Sequence, residues 1–275
     1  MKVKDIASLI ERHAPLQLQE DYDNSGLQIG DPDMQVSGVV TTLDVTEQTV
    51  RLCAETGANV IVSHHPLLFR GVKQINPQRD YISRVIISAI SHGIAIYSAH
   101  TNLDNAWCGV NYKIGEVLGL KDVCPLAPLS QAQTAGLEHD FAVHCGSGIV
   151  GELSQPMSAN DFLAHVCRCL KLDAVSANTL DYDGHPVSRV ALCGGAGADF
   201  IGDALRAKAD AYITGEVSYH LFFTHPEMLM LSAGHFETEQ FTSDLLADII
   251  RSEYPDLQIT VAPKSSPIEQ FIPCH

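Results

Sequence analysis

Residues 188–214 read "SRVALCGGAGADFIGDALRAKADAYIT": a strand pattern, a glycine turn, a helix and a second strand. The same order occurs earlier in the chain. "VSGVVTTLDV" (36–45) has the pattern of a strand, "TEQTVRLCAETG" (46–57) that of a helix closed by Gly57, and "ANVIVS" (58–63) that of a second strand. Val190 lies 151 residues after Val39, and "ADAYITG" (209–215) lies 151 after "ANVIVSH" (58–64). A third match joins "IAIYSAHTNLDN" (94–105) to "MLMLSAGHFETE" (228–239). Each carries Ser-Ala at a strand end, then a histidine, then an acid four residues on; the extra Gly234 accounts for a one-residue shift. Three matches in one order imply an internal duplication. Strands alternating with helices, "QRDYISRVIISAISHG" (78–93) among them, predict an α/β fold of two similar halves with covered sheet faces.

The stretch "CPLAPLSQAQTAG" (124–136) is proline-rich and poor in periodicity, and marks the join. The first half is read as residues 1–125 and the second as 126–275, whose C-terminal segment is free to pack on the first half. Segment 137–175 adds a strand pair and a helix, "SANDFLAHVCRCLKL" (158–172), for which Ser158 and Asp161 make a capping start.

With 275 residues and 45% hydrophobic content the chain can bury a real core in each half. Seventeen basic and 33 acidic residues give a net charge of -16. That balance disfavours a nucleic-acid backbone or an anionic membrane as partner. No apolar stretch approaches the roughly 20 residues of a membrane helix, and the N-terminus reads as an amphipathic helix rather than a signal peptide. Eight cysteines occur without a CxxC pair, which reads as a reduced, cytoplasmic protein.

In α/β sheets, functional groups collect beyond the carboxyl ends of strands. His64 and His65 follow "VIVS", His100 and Asp104 follow "IAIYSA", and His235 and Glu239 follow "MLMLSAG". Imidazole and carboxylate together suit Zn, Fe, Mn or Ni rather than Ca or Mg. Three histidines and two acids exceed the needs of one tetrahedral ion; two ions sharing a bridging carboxylate would use five ligands. Since both halves contribute, the site is predicted in the cleft between them. Adjacent histidines suit such a pair, because Pro66 favours an extended residue at His65 and stops helical continuation.

"SHHPLLF", "SAHTNLDNA", "GHFETE" and, near the start, "DYDNSGLQIG" resemble the signatures of a known family across nearly the whole chain. These are the dinuclear-metal-centre hexameric proteins, which include the YbgI-like proteins and the GTP cyclohydrolase 1 type 2 homologues. Where that family usually has Trp-Asp-Asn, this chain has Tyr22 before Asp23. The resemblance implies two divalent transition-metal ions per chain. His65 and Asp104 would bind one, His64 and His235 the other, with Glu239 bridging and His100 nearby, either beside the ligands or against substrate. It also implies a homohexameric ring, a small-molecule substrate such as a nucleotide, and GTP cyclohydrolase-type opening of a purine ring by metal-activated water. A metal-dependent phosphoesterase and a non-catalytic metal-binding or regulatory ring are the rival readings.

Three weaker signals remain. "CGGAGADF" (193–200) fits neither GxGxxG nor the P-loop, and is either a tight turn or an anion cradle. "TGEVSYH" (214–220) places Glu216 and His220 where the first half has its histidine pair, so with His100 they are the candidate catalytic acid and base groups. "DYDNSG" (21–26) begins like a Ca loop, but Pro32 stands where the loop needs Glu.

Overall fold

The computed structural model describes residues 1–179, 182–223 and 225–268. Eleven strands are found among the described residues: β1 (Gly26–Ile29), β2 (Val39–Thr42), β3 (Val60–Ser63), β4 (Ala95–Ser98), β5 (Lys121–Pro128), β6 (Gly146–Met157), β7 (Ser176–Ala177), β8 (Val187–Cys193), β9 (Ala211–Thr214), β10 (Leu229–Ser232) and β11 (Ile259–Val261). They form two sheets, ordered β1-β4-β3-β2-β11 and β5-β6-β8-β9-β10-β7.

The duplication is visible in the register. Val39 pairs with Val60 and Val60 with Ala95 in one parallel triplet; Val190 pairs with Ala211 and Ala211 with Leu229 in the other. The third strand of each triplet is flanked by an antiparallel edge strand, β1 on β4 and β7 on β10. The fold is thus mixed α/β with two related halves.

Side chains alternate across each sheet because successive Cβ atoms point to opposite faces. Val39, Val60, Val62 and Tyr97 face a central core that also takes Val190, Leu192, Ile213 and Leu231. Helices Val3–His13, Val110–Leu118, Ala159–Leu170 and Thr242–Glu253 contribute to this layer between the sheets. Val40, Ile61 and Ile96 face outward under helices Glu47–Glu55 and Tyr81–Ser91. Ala191, Tyr212 and Met230 do the same in the second sheet, under helix Ile201–Arg206.

Ser158 caps its helix as expected, its hydroxyl accepting from the Asp161 amide. Segment 137–175 departs from the expected strand pair: a short helix, His139–Ala142, precedes one long strand, β6. The start of the proline-rich stretch, residues 124–128, is not a loop but the end of β5. β5 lies at the sheet edge, where Pro125 and Pro128 need not donate to a neighbouring strand. β11 returns to pair with β2 in the first sheet. No helix among the described residues is long and apolar enough to cross a membrane.

Candidate metal centre

β3, β4 and β10 end at one place, and the histidines and acids beyond them converge there. His64 is fully buried and donates Nδ1–H to the Ala99 carbonyl at 2.8 Å. That bond fixes its tautomer and leaves the Nε2 lone pair facing the acids. Nε2 lies 3.5 Å from Asp104 Oδ1 and 3.8 Å from Glu239 Oε1, and has no hydrogen-bond partner. An orphaned buried nitrogen is costly unless something coordinates it.

On the other side of Glu239, Oε2 is 2.9 Å from His65 Nε2 and 3.2 Å from His235 Nε2, and the two nitrogens are 3.4 Å apart. Donors about 2.1 Å from one tetrahedral ion stand about 3.4 Å from each other. The donor chemistry and spacing therefore fit a metal ion. Two groups share Glu239: His65 with His235, and His64 with Asp104. The family resemblance pairs His65 with Asp104 and His64 with His235; the nearest donors in the structure group differently. His64 and His65 also form a third close group with His100.

Every imidazole here is held from behind. His65 Nδ1 meets Asp44 Oδ1 at 2.8 Å, His235 Nδ1 meets Glu216 Oε1 at 2.8 Å, and His100 Nδ1 meets Asp23 Oδ1 at 2.7 Å. Such partners orient a ligand ring and raise its basicity. The His100 ring lies 5.2 Å from that of His64 and 5.6 Å from that of His65. The Asp23 side chain is fully buried and also accepts from the Thr101 amide and hydroxyl, which explains the part of "DYDNSG" that a Ca loop did not.

The electrostatics follow. Burial alone would raise Glu239, yet the imidazoles of His235 and His65 against its carboxyl, with His64 nearby, hold it well below the usual range. Burial opposes charge on His65, but Asp44 and Glu239 outweigh it and push the imidazole up to about 10. Glu239 is the main cause that raises His235 to about 9. Burial raises Asp104. It also raises the thiol of Cys193, which lines the same cavity and is thereby kept protonated and a poor nucleophile.

The glycine turn has a different job from phosphate binding. Gly194 donates to Asn111 Oδ1, Gly195 to Thr238 Oγ1 and Gly197 to Thr214 Oγ1, so these amides are already engaged. Gly195 has φ +61, and a Cβ there would stand 2.3 Å from Glu239 Oε1. The turn is glycine so that the backbone can pass against the shared carboxylate.

A cavity of about 430 Å³ opens on the ligands and is lined by His65, His100, Asp104, His235 and Glu239, with Tyr22, Phe69 and Phe200 among its apolar walls. Glu216 is exposed and reaches the centre only through His235. His220 is exposed on the 3-10 turn Tyr219–Phe223, edge-on to Tyr219, and is not among the cavity-lining residues. Sequence reasoning gives Asp44 no role and notes Asp23 only as part of a motif. Asp44 sits two residues past the end of β2, so the strand-end rule applied to His64 would also have found it.

Known proteins share this sequence and fold. A protein of Clostridium acetobutylicum named GTP cyclohydrolase 1 type 2 homolog is 34% identical over 244 residues, covering 87% of this chain and 85% of its own. The crystal structure of a hypothetical protein of Staphylococcus aureus superposes with a TM-score of 0.86 at 26% identity, covering 98% of this chain and 99% of that one. The protein ybgI, of unknown function, shares the fold with a TM-score of 0.81 at 24% identity, over 98% of this chain and 100% of its own. The pattern of one family matches residues 1–268, and the chain belongs to that family, Duf34/NIF3 (NGG1p interacting factor 3).

Proposed function

We propose that the chain is a metal-dependent hydrolase with a two-ion centre held by His64, His65, Asp104, His235 and Glu239. The observation that carries this reading is Glu239, whose two oxygens each belong to a different ligand group. His64 and Asp104 would complete one ion's set, and His65 and His235 the other's. Bound there, such ions lower the pKa of a water molecule to near neutrality and stabilise developing negative charge.

The chain's own residues do the rest. Asp44, Glu216 and the Ala99 carbonyl hold three imidazoles with Nε2 turned inward. Asp23 holds His100 in the same way, which leaves its Nε2 available to take or give a proton at the substrate. Tyr22, Phe69 and Phe200 give the cavity apolar walls that exclude water. The relatives' name, GTP cyclohydrolase 1 type 2 homolog, supports a nucleotide-type substrate whose purine ring is opened. A homohexameric ring belongs to the same reading through the family resemblance.

Metal-loaded protein offered GTP beside a panel of phosphoesters tests the proposal. Metal-dependent release of a ring-opened product supports the cyclohydrolase form, and turnover of phosphoesters alone supports a phosphoesterase. No turnover of any member rejects the hydrolase and favours a metal-handling ring.

A further inference from the structure

One carboxylate of the cavity is unused by the metal centre. Glu20 lines the cavity, but it belongs to none of the ligand groups. It is pinned by one oxygen: Oε1 is 3.1 Å from Asn105 Nδ2 and 3.4 Å from Ser147 Oγ, and the Glu20 amide donates to Thr101 Oγ1 at 3.0 Å. Asn105 is itself held by Leu18 O and Ser147. Among the described residues no hydrogen bond falls on Glu20 Oε2. The carboxylate of this lining residue is thereby held in place with Oε2 left over as an acceptor.

The walls beside it are flat and apolar. Tyr22 and Phe69 stand edge to face at 6.3 Å, Phe69 stands edge to face with His100 at 5.9 Å, and Phe200 also lines the cavity. Aromatic walls of this kind take planar rings. Charge points the same way. Among the described residues that line the cavity there is no Lys or Arg. Two divalent ions against the carboxylates of Glu20, Asp104 and Glu239 leave about one positive charge, which a triphosphate of about four negative charges would overrun.

We infer that the cavity takes an uncharged planar heterocycle whose adjacent N–H donors converge on the free Oε2 of Glu20, rather than a ligand held by its polyphosphate. This rests on the two-ion reading and narrows its substrate class. A carboxylate discriminates well here, because a hydrogen bond to a charged acceptor is strong and a ligand lacking the donor leaves that acceptor desolvated and unpaired.

Calorimetric binding to the zinc-loaded full chain tests it, with guanosine, inosine and GTP as probes. Guanosine presents the ring N–H and exocyclic amine side by side, and inosine lacks the amine. Guanosine is expected to bind at least as tightly as GTP, and inosine about 10-fold more weakly. Glu20→Gln keeps an oxygen for Asn105 and Ser147 but turns the presented acceptor into a donor; it should weaken guanosine about 10–100-fold with zinc content unchanged. If that variant folds poorly, the guanosine–inosine ratio on the unaltered chain makes the same comparison. GTP binding 10-fold tighter than guanosine, equal binding of guanosine and inosine, or no binding of guanosine would each overturn the inference. Guanosine binding as expected with no turnover of any substrate would instead sink the hydrolase reading and leave this one standing.

Discussion

His64 and His65 follow β3, and at the matching place in the second half Gly215 and Glu216 follow β9. Asp44 follows β2, and its counterpart by the same 151-residue offset is Gly195. The backbone register is shared, but the side chains have changed jobs. In the first half, the middle loop supplies two candidate ligands and the neighbouring loop an acid that orients one of them. In the second half the middle loop supplies the orienting acid, Glu216, while the neighbouring loop gives up its side chain altogether. A Cβ on Gly215 would lie 2.6 Å from Gly195 O and 2.8 Å from His235 Cα. The second half thus makes room, and the first half fills it. One centre is built from two copies by dividing donors and space between them.

Substitutions that break this division should differ greatly in effect. Gly195→Ala places a methyl group against Glu239 and strains a positive φ, so bound metal should fall to near none by elemental analysis. Its counterpart, Asp44→Ala, removes only an orienting bond. Metal affinity should fall about 10–100-fold in a competitive chelator titration, with stoichiometry unchanged at saturation. Equal losses in the two variants would refute the division of roles.

Proton release sharpens the same contrast. Ligation needs neutral imidazoles, yet with no ion bound His65 is raised to about 10 and His235 to about 9. Both are protonated at pH 7, so metal uptake should release about two protons from this pair, and affinity should rise with pH until about 9–10. Metal titrations in buffers of different ionisation enthalpy measure this. Asp44→Asn lowers the His65 value and should reduce the release at pH 9, whereas a release independent of pH would contradict the assignment.

The smallest effect lies away from the site. Gly57 closes helix Glu47–Glu55 at φ +73, and a Cβ there would meet nothing within 4 Å, so Gly57→Ala should cost only the backbone strain, about 1 kcal/mol in denaturant unfolding.

Much of this was legible in the chain because two signals reinforce each other. Alternating strand and helix patterns set the class, and three matches in one order, two of them 151 residues apart, pointed to two related halves. Strand ends then pointed to His64, His65, Asp104, His235 and Glu239 before any geometry was known. What could not be read is what depends on the spacing of the two sheets. Which donors stand nearest to His64 and which to His65 is one case, since a sequence does not say toward which half each neighbour turns. The seating of Asp23 behind His100 is another, because it joins residues 77 apart through tertiary packing. The glycine turn at Gly195 left a tight turn and an anion cradle equally open, because backbone freedom serves close approach to any group, here the carboxylate of Glu239.

The central claim is that Glu239 is shared by two ions, and counting ions per chain in Glu239→Ala beside Asp104→Ala tests it most directly. About two ions per chain are expected in the unaltered protein, about one in Asp104→Ala and near none in Glu239→Ala, with circular dichroism unchanged. Two ions retained by folded Glu239→Ala would contradict the shared carboxylate.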